Sequence, residues 1–217
     1  MKLNRFKAVI FNLNGVIVST DEYHYQAWRQ LADREGLHFD RIINERLKGV
    51  GRMQSLEILL SFNRDRTYTD EQKAEMAEFK NQRYLELIRD LRPSDVLPGV
   101  RTFCDYVKAK NIRIAVGSSS RNVKVILQNI GLLDYFDAVS DGTMIERSKP
   151  YPDVFVNAAK LLGLRRRACL VVEGADSGVE AAHRAGMEVL AVALASANPA
   201  ADYRAPGLYD KACYEII

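Results

Sequence analysis

The stretch Ala8-Val9-Ile10-Phe11, followed at once by Asn12-Leu13-Asn14-Gly15, constrains this chain more than any other. A four-residue apolar run with β-branched members suits a strand buried on both faces, the kind a parallel sheet needs. A tight polar turn directly after such a strand lies at its carboxyl end, the edge where ligands bind in open α/β sheets. Beyond the turn, Tyr23, Ala27 and Leu31 recur every four residues, as do His24 and Trp28, so Asp21 to Arg34 reads as a helix. Thr20 or Asp21 can cap its start and Gly36 stops it. Leu56, Leu59 and Leu60 mark another helix. A third, opened by Thr69 or Asp70, carries Ala74, Ala77, Tyr84, Leu87 and Ile88 on its apolar side. Between His38 and Arg92 the pattern holds no convincing strand.

Pro93-Ser94-Asp95 and Pro98-Gly99 break the chain, and the rhythm then becomes strand, helix, strand. Val100, Phe103 and Val107 form a helix face. Ile112 to Val116 is a strand, followed by the turn Gly117-Ser118-Ser119-Ser120. Val123, Ile126, Leu127 and Ile130 form a helix that Gly131 ends. Asp137 to Ser140 is a short strand. Lys149-Pro150-Tyr151-Pro152 leads into a helix with Phe155, Ala159 and Leu162. Ala168 to Val172 is a strand, then come Glu173 to Gly178 and a helix to Ala185. Glu188 to Leu194 is the last clear strand, and the tail after Ala195 suggests no element. This alternation predicts an α/β fold, a Rossmann-like parallel sheet core with an inserted α-helical cap domain. Residues 1–18 and 92–217 are the expected core and residues 19–91 the expected cap, hinged beside the first polar turn as a lid.

A chain of 217 residues with 47% hydrophobic and 27% charged residues can bury a sizeable core unaided. The net charge of +3 makes no case for nucleic acid, and Arg165-Arg166-Arg167 reads as a solvated turn. Cys104, Cys169 and Cys213 are too scattered for a disulfide framework or a zinc site. No signal peptide pattern and no membrane-length apolar run is present. The expectation is a cytoplasmic chain acting as a monomer, with no nucleic-acid and no membrane partner. Trp28, Tyr23 and Tyr25 read as helix packing rather than as a docking patch.

Four polar turns follow strands or strand-like runs: Asn12–Gly15, Ser118–Ser120, Ser148–Lys149 and Glu173–Ser177. Each alone has a plain structural reading, as a helix cap, a surface turn or a solvated acid. Parallel strands place their carboxyl ends on one edge, so the four can converge.

In that order, Asn12-Leu13-Asn14-Gly15-Val16, Ser118, Ser148-Lys149-Pro150 and Glu173-Gly174 resemble the haloacid dehalogenase superfamily of phosphotransferases. Glu22-Tyr23-His24, Ala27-Trp28, Leu47-Lys48-Gly49-Val50 with Arg52, Lys80-Asn81, Ser118 to Asn122 and Pro152-Asp153 narrow the resemblance to its β-phosphoglucomutase family. The resemblance implies an aspartate nucleophile at position 12, an aspartate acid/base at position 14, and Ser118, Ser119 and Lys149 around the transferring phosphate. It implies Mg²⁺ held by the residue 12 carboxylate, the residue 14 carbonyl and acidic side chains at 173 and 174. It implies Arg52 as clamp for a second phosphate, Trp28, Ser120, Arg121 and Asn122 near the sugar, and Thr20, His24 and Lys80 coupling the cap to the acid/base.

The chain departs from that pattern where the chemistry is done. Asn12 is no nucleophile, and Asn14 cannot exchange a proton, a role that contributes ~10²–10⁴-fold. Gly174 offers no ligand, leaving Glu173 alone among the expected metal carboxylates. Asp176 reads as a helix cap and not a replacement. The expectation is a weak or empty Mg²⁺ site and a cleft that binds phosphate or a sugar phosphate without turnover. The alternatives are a weakly active Mg²⁺-dependent mutase or phosphatase, which deamidation at Asn14-Gly15 would assist, and a regulatory or scaffold protein.

Overall fold

The computed structural model describes residues 5–217. Residues 1–4 of the expected core segment lie outside the described residues. In chain order the helices are α1 (Asp21–Glu35), α2 (Arg41–Glu45), α3 (Arg52–Ser61), α4 (Asp70–Leu87), α5 (Val100–Ala109), α6 (Val123–Asn129), α7 (Asp153–Leu161), α8 (Asp176–Arg184) and α9 (Lys211–Glu215). The strands are β1 (Ala8–Phe11), β2 (Arg113–Gly117), β3 (Ala138–Ser140), β4 (Cys169–Glu173), β5 (Glu188–Ala191) and β6 (Tyr203–Arg204).

The strands form one parallel sheet in the order β3-β2-β1-β4-β5-β6. β1 is central, with Phe11 opposite Val116 on one side and Val172 on the other. Strand order reverses at β1, so the crevice that such sheets use for ligands opens just past Phe11, at Asn12. Strand side chains alternate between faces. Val9, Phe11, Ile114, Val116, Leu170 and Val172 pack with Phe103 and Val107 of α5 and Ile126 of α6. Ala8, Ile10, Ala115, Cys169 and Val171 pack with Phe155 and Ala158 of α7 and Val179 of α8. Both faces are covered, which is why β1 reads as an unbroken apolar run.

The helices α1 to α4 bury a cluster of their own, with Trp28, Leu31, Leu56, Leu59, Met76 and Ala77 at its centre. α4 opens with a capping box: Gln72 N donates to Thr69 Oγ1 at 3.3 Å and Thr69 N donates to Gln72 Oε1 at 2.9 Å. Its buried face differs from the expected one. Ala74 is exposed, and Met76, Lys80 and Asn81 join Ala77 and Tyr84 inside. An apolar pattern leaves out the two polar residues, which the resemblance singles out and which lie at helical spacing from Ala77. α2 was missed because it is short, yet Asp40 caps it by accepting from Ile43 N at 2.8 Å.

Neither Thr20 nor Asp21 caps α1 through its side chain. Asp176 is also not a cap: Ala175 holds that position, and Asp176 accepts from Asn198 Nδ2 at 2.9 Å. β5 ends at Ala191, earlier than Leu194, because Ala193 turns to φ 50 and starts a 3-10 turn. The tail does hold elements, with β6 added beside β5 and α9 burying its own Cys213. Burial pushes the thiols of Cys104, Cys169 and Cys213 up, to about 12, 11 and 11. No helix among the described residues is long and apolar enough to cross a membrane.

Candidate functional site

The sheet's carboxyl edge gathers the predicted residues. Asn12 N donates to Val172 O at 2.9 Å and Ser118 N to Ser140 O at 3.1 Å, which extends the strand ladders one residue past β1 and β2. Glu173 ends β4 and is fully buried. A buried carboxylate needs partners for its charge and its lone pairs. Its Oε1 pairs with Lys149 Nζ, and its Oε2 accepts from Gly174 N at 2.8 Å, Ala175 N at 3.1 Å and Asn12 Nδ2 at 3.2 Å.

Asn12 Nδ2 also donates to the Asn14 carbonyl at 3.1 Å. The amide therefore ties together two oxygens, the Asn14 carbonyl and the Glu173 carboxylate, that the resemblance assigns to Mg²⁺. Its two N–H groups satisfy both oxygens as a cation would, with no charge. The residues present do not fit Mg²⁺, which demands near-octahedral oxygen ligands, usually carboxylates plus phosphate. One carboxylate remains and its oxygens are engaged. A Cβ at Gly174 would lie 2.9 Å from the Gly15 carbonyl oxygen, so a side chain there requires the Asn14-Gly15 turn to shift. Among the described residues no group of three or more His, Cys, Asp or Glu is poised to hold a metal ion.

The resemblance places Lys149 beside the transferring phosphate. Lys149 is buried against Glu173, with its ammonium 4.7 Å from the Phe155 ring, so its charge is already balanced. Ser119 Oγ accepts from Lys149 N at 3.5 Å and Ser118 Oγ accepts from Ser120 N at 3.3 Å. The Ser118 hydroxyl proton can still be donated to an anion. Ser120 Oγ accepts from Asn122 N at 3.1 Å, and Asn122 Nδ2 reaches Asn81 Oδ1 of α4 at 3.0 Å.

Asn14 is held from three directions. Its Oδ1 accepts from Thr20 N at 2.6 Å and Thr20 Oγ1 at 3.1 Å, and its Nδ2 donates to Asp21 Oδ1 at 2.5 Å. Gly15 N donates to Val18 O at 2.9 Å. Deamidation needs that nitrogen to attack the Asn14 side chain, and here both groups are engaged elsewhere. Asp21 was missed as a site residue. The one available signal was an acid directly after Thr20, seven residues from an amide.

Away from this network, the His24 ring stacks on Tyr84 at 4.1 Å, with Nδ1 2.8 Å from Lys80 Nζ. Lys80 is 3% exposed and lies between Trp28 and Tyr84, 5.0 and 4.6 Å from their rings. Trp28 itself is core. Burial, and then the charge of Arg52, hold Lys80 well below the usual lysine range. Burial, then Lys80 and Arg52, hold His24 well below the usual histidine range. Both bases bind protons more readily in the unfolded chain, so stability is fully present above the unfolded pKa values and falls as pH drops. The loss from Lys80 accumulates below about pH 10 and that from His24 below about pH 6.5. Lys80→Met is expected to raise stability by about 1 kcal/mol at neutral pH and to flatten the alkaline part of this dependence. Thermal melts of both chains between mildly acid and mildly alkaline pH check this, and a destabilised variant with unchanged pH slope would refute it.

Arg52 opens α3 and is half-buried. Its Nη1 is 3.4 Å from Glu78 Oε2 and 3.5 Å from Ala77 O. Burial lowers its pKa; Glu78 opposes the shift and the charge of Arg121 adds to it. Arg52 of the helical segment is thus within electrostatic reach of Arg121, which is exposed on the loop after β2.

A central β1, a polar turn after it and Lys149 with Glu173 at neighbouring strand ends define the class of fold, and the haloacid dehalogenase-like hydrolase family matches residues 6–186. The chain belongs to that family. Among its relatives, a β-phosphoglucomutase of Bacillus subtilis (strain 168) is 43% identical over 187 residues, covering 86% of this chain and 83% of that protein. A fructose-1-phosphate phosphatase of Escherichia coli (strain K12) is 28% identical over 190 residues, covering 88% and 98%. The crystal structure of a β-phosphoglucomutase from Clostridium difficile superposes with a TM-score of 0.90 at 36% identity, covering 94% of this chain and 92% of that one.

Proposed function

We propose that this chain binds a sugar phosphate, or phosphate alone, without Mg²⁺ and without turning it over. In this reading residues 1–18 and 92–217 serve as a β-phosphoglucomutase-like core and residues 19–91 as the cap that closes on the ligand. The carrying observation is the Asn12 amide, which bridges the Glu173 carboxylate and the Asn14 carbonyl where the family would place a metal. Arg52 is half-buried and feels the charge of Arg121, so an anion bound near both would relieve their repulsion. Guanidinium forks suit phosphate oxygens. Ser118 and the Ser120–Asn122 loop supply hydrogen bonds to the rest of the ligand, and Lys149 stays with Glu173. Asn12 carries no anion to attack phosphorus and Asn14 no proton to exchange, so the bound ester is left intact.

Calorimetry with glucose 6-phosphate in excess chelator tests this. Binding is expected with one site, weakened about 10- to 100-fold by Arg52→Ala or Arg121→Ala through loss of charged hydrogen bonds. No binding in chelator, with binding restored by added Mg²⁺, would overturn the proposal. Conversion of β-glucose 1-phosphate above background, abolished by chelation, would support instead a weakly active mutase, the activity of the Bacillus subtilis relative.

A further inference from the structure

Asp21 joins three parts of the molecule. Its Oδ1 accepts from Asn14 Nδ2 at 2.5 Å, in the turn after β1. Its Oδ2 lies 3.8 Å from Lys48 Nζ, in the loop between α2 and α3, and Lys48 also pairs with Glu45 at 2.8 Å. Thr20, its neighbour, donates through N and Oγ1 to the same Asn14 side chain. The Lys48 loop meanwhile rests on the sheet edge. A Cβ at Gly49 would lie 2.7 Å from Ser177 Oγ, and one at Gly51 would collide with Ser148 Oγ. Ser177 Oγ is covered and has no hydrogen-bond partner. The loop is therefore seated over the ends of the turns that carry Lys149 and Glu173.

We infer that Asp21 is the clasp of a strap, Asn14–Asp21–Lys48, that holds this loop closed over the site before any ligand arrives. The clasp depends on the amide at position 14. Nδ2 gives Asp21 a donor, whereas a carboxylate at 14 would set two acids in contact and open the strap by repulsion. The amide at position 14 and the acid at position 21 are in this sense one feature, donor and acceptor of a single bond between the core turn and the first turn of α1. The strap also bears on the anion binding proposed above, on which this consequence rests: a ligand that enters beside the Ser148–Lys149 and Glu173–Ser177 turns must unseat the loop that rests on Ser148 and Ser177. A chain without the clasp therefore binds more tightly and faster.

Hydrogen exchange over Glu45 to Ser55, measured without ligand, tests the strap independently of binding. Asp21→Ala and Asn14→Asp are each expected to speed exchange there about 10- to 100-fold, the range for losing one charged hydrogen bond. The exchanged pair Asn14→Asp/Asp21→Asn keeps an acceptor facing Thr20 and a donor facing a carboxylate, and loses only the charge opposite Lys48, so its exchange falls between the parent and the single variants. Unchanged exchange in both single variants would overturn the inference, and so would a double variant as fast as the singles. The second arm is calorimetry with glucose 6-phosphate in chelator. If exchange follows the expected pattern but no variant binds, the strap stands and the anion-binding proposal fails.

Discussion

The variant Asn12→Asp/Asn14→Asp/Gly174→Asp is expected to interconvert β-glucose 1-phosphate and glucose 6-phosphate in added Mg²⁺ at least about 10⁴-fold faster than the parent chain. The acid/base alone accounts for ~10²–10⁴ of this, and without an anion at position 12 there is no covalent route at all. The three changes act as a unit, so single variants are expected to stay near background. Asn12→Asp alone gains a nucleophile with nothing to protonate or deprotonate the sugar oxygen. Asn14→Asp alone gains a proton shuttle with no attacking group. Two local features hold the triple variant below its ceiling. A Cβ at position 174 would press on the Gly15 carbonyl at 2.9 Å, and an aspartate at 14 would meet Asp21. Adding Asp21→Asn removes the second conflict and is expected to raise the rate further, most visibly toward acid pH. Asp21 otherwise holds the position 14 proton and raises the pH at which that carboxyl ionises. Steady-state mutase assays of the single, triple and quadruple variants decide the matter. Folded triple and quadruple variants with no gain would mean that the cleft no longer accepts this sugar phosphate.

Much of the core was legible because each strand states its burial outright. Ala8 to Phe11 and Cys169 to Val172 are unbroken apolar runs, as strands covered on both faces must be, and the turns after them are short and polar. The turns' convergence followed from parallel pairing, and Asn12, Lys149 and Glu173 do meet. What stayed hidden depends on partners distant in sequence. Asp21 reads as a helix start until Asn14 is placed beside it. The pairing of Lys149 with Glu173 shows only when the two turns are brought together. Lys80 is implied as a coupling residue by the resemblance alone, and its burial shows only once His24, Trp28 and Tyr84 close around it. The tail gave no pattern because β6 is only two residues long and draws its register from β5, with Leu190 opposite Tyr203.

The Lys149–Glu173 pair carries the other large effect, and its two halves are not equivalent. Both side chains are buried, 3% and 0% exposed. Removing either partner of such a pair leaves a charge in the interior and costs about 3–5 kcal/mol. Lys149→Met leaves Glu173 with three N–H donors, from Gly174, Ala175 and Asn12, which continue to stabilise its charge. The expected loss is about 3 kcal/mol, at the low end of that range. Glu173→Leu strips Lys149 of its acceptor and also orphans the Gly174 and Ala175 amides, each a further penalty when buried. Its expected loss is about 5 kcal/mol or more. For a chain of this size each kcal/mol shifts the melting temperature by about 2–4 °C, so the variants should melt roughly 6–12 °C and 10–20 °C below the parent. Thermal melts followed by circular dichroism give both shifts. Equal losses would mean that the three N–H donors do not support the carboxylate. A smaller loss for Glu173→Leu than for Lys149→Met would mean that the carboxylate, not the lysine, is the unstable member, and the amide network around it would then be too weak to stand in for a cation.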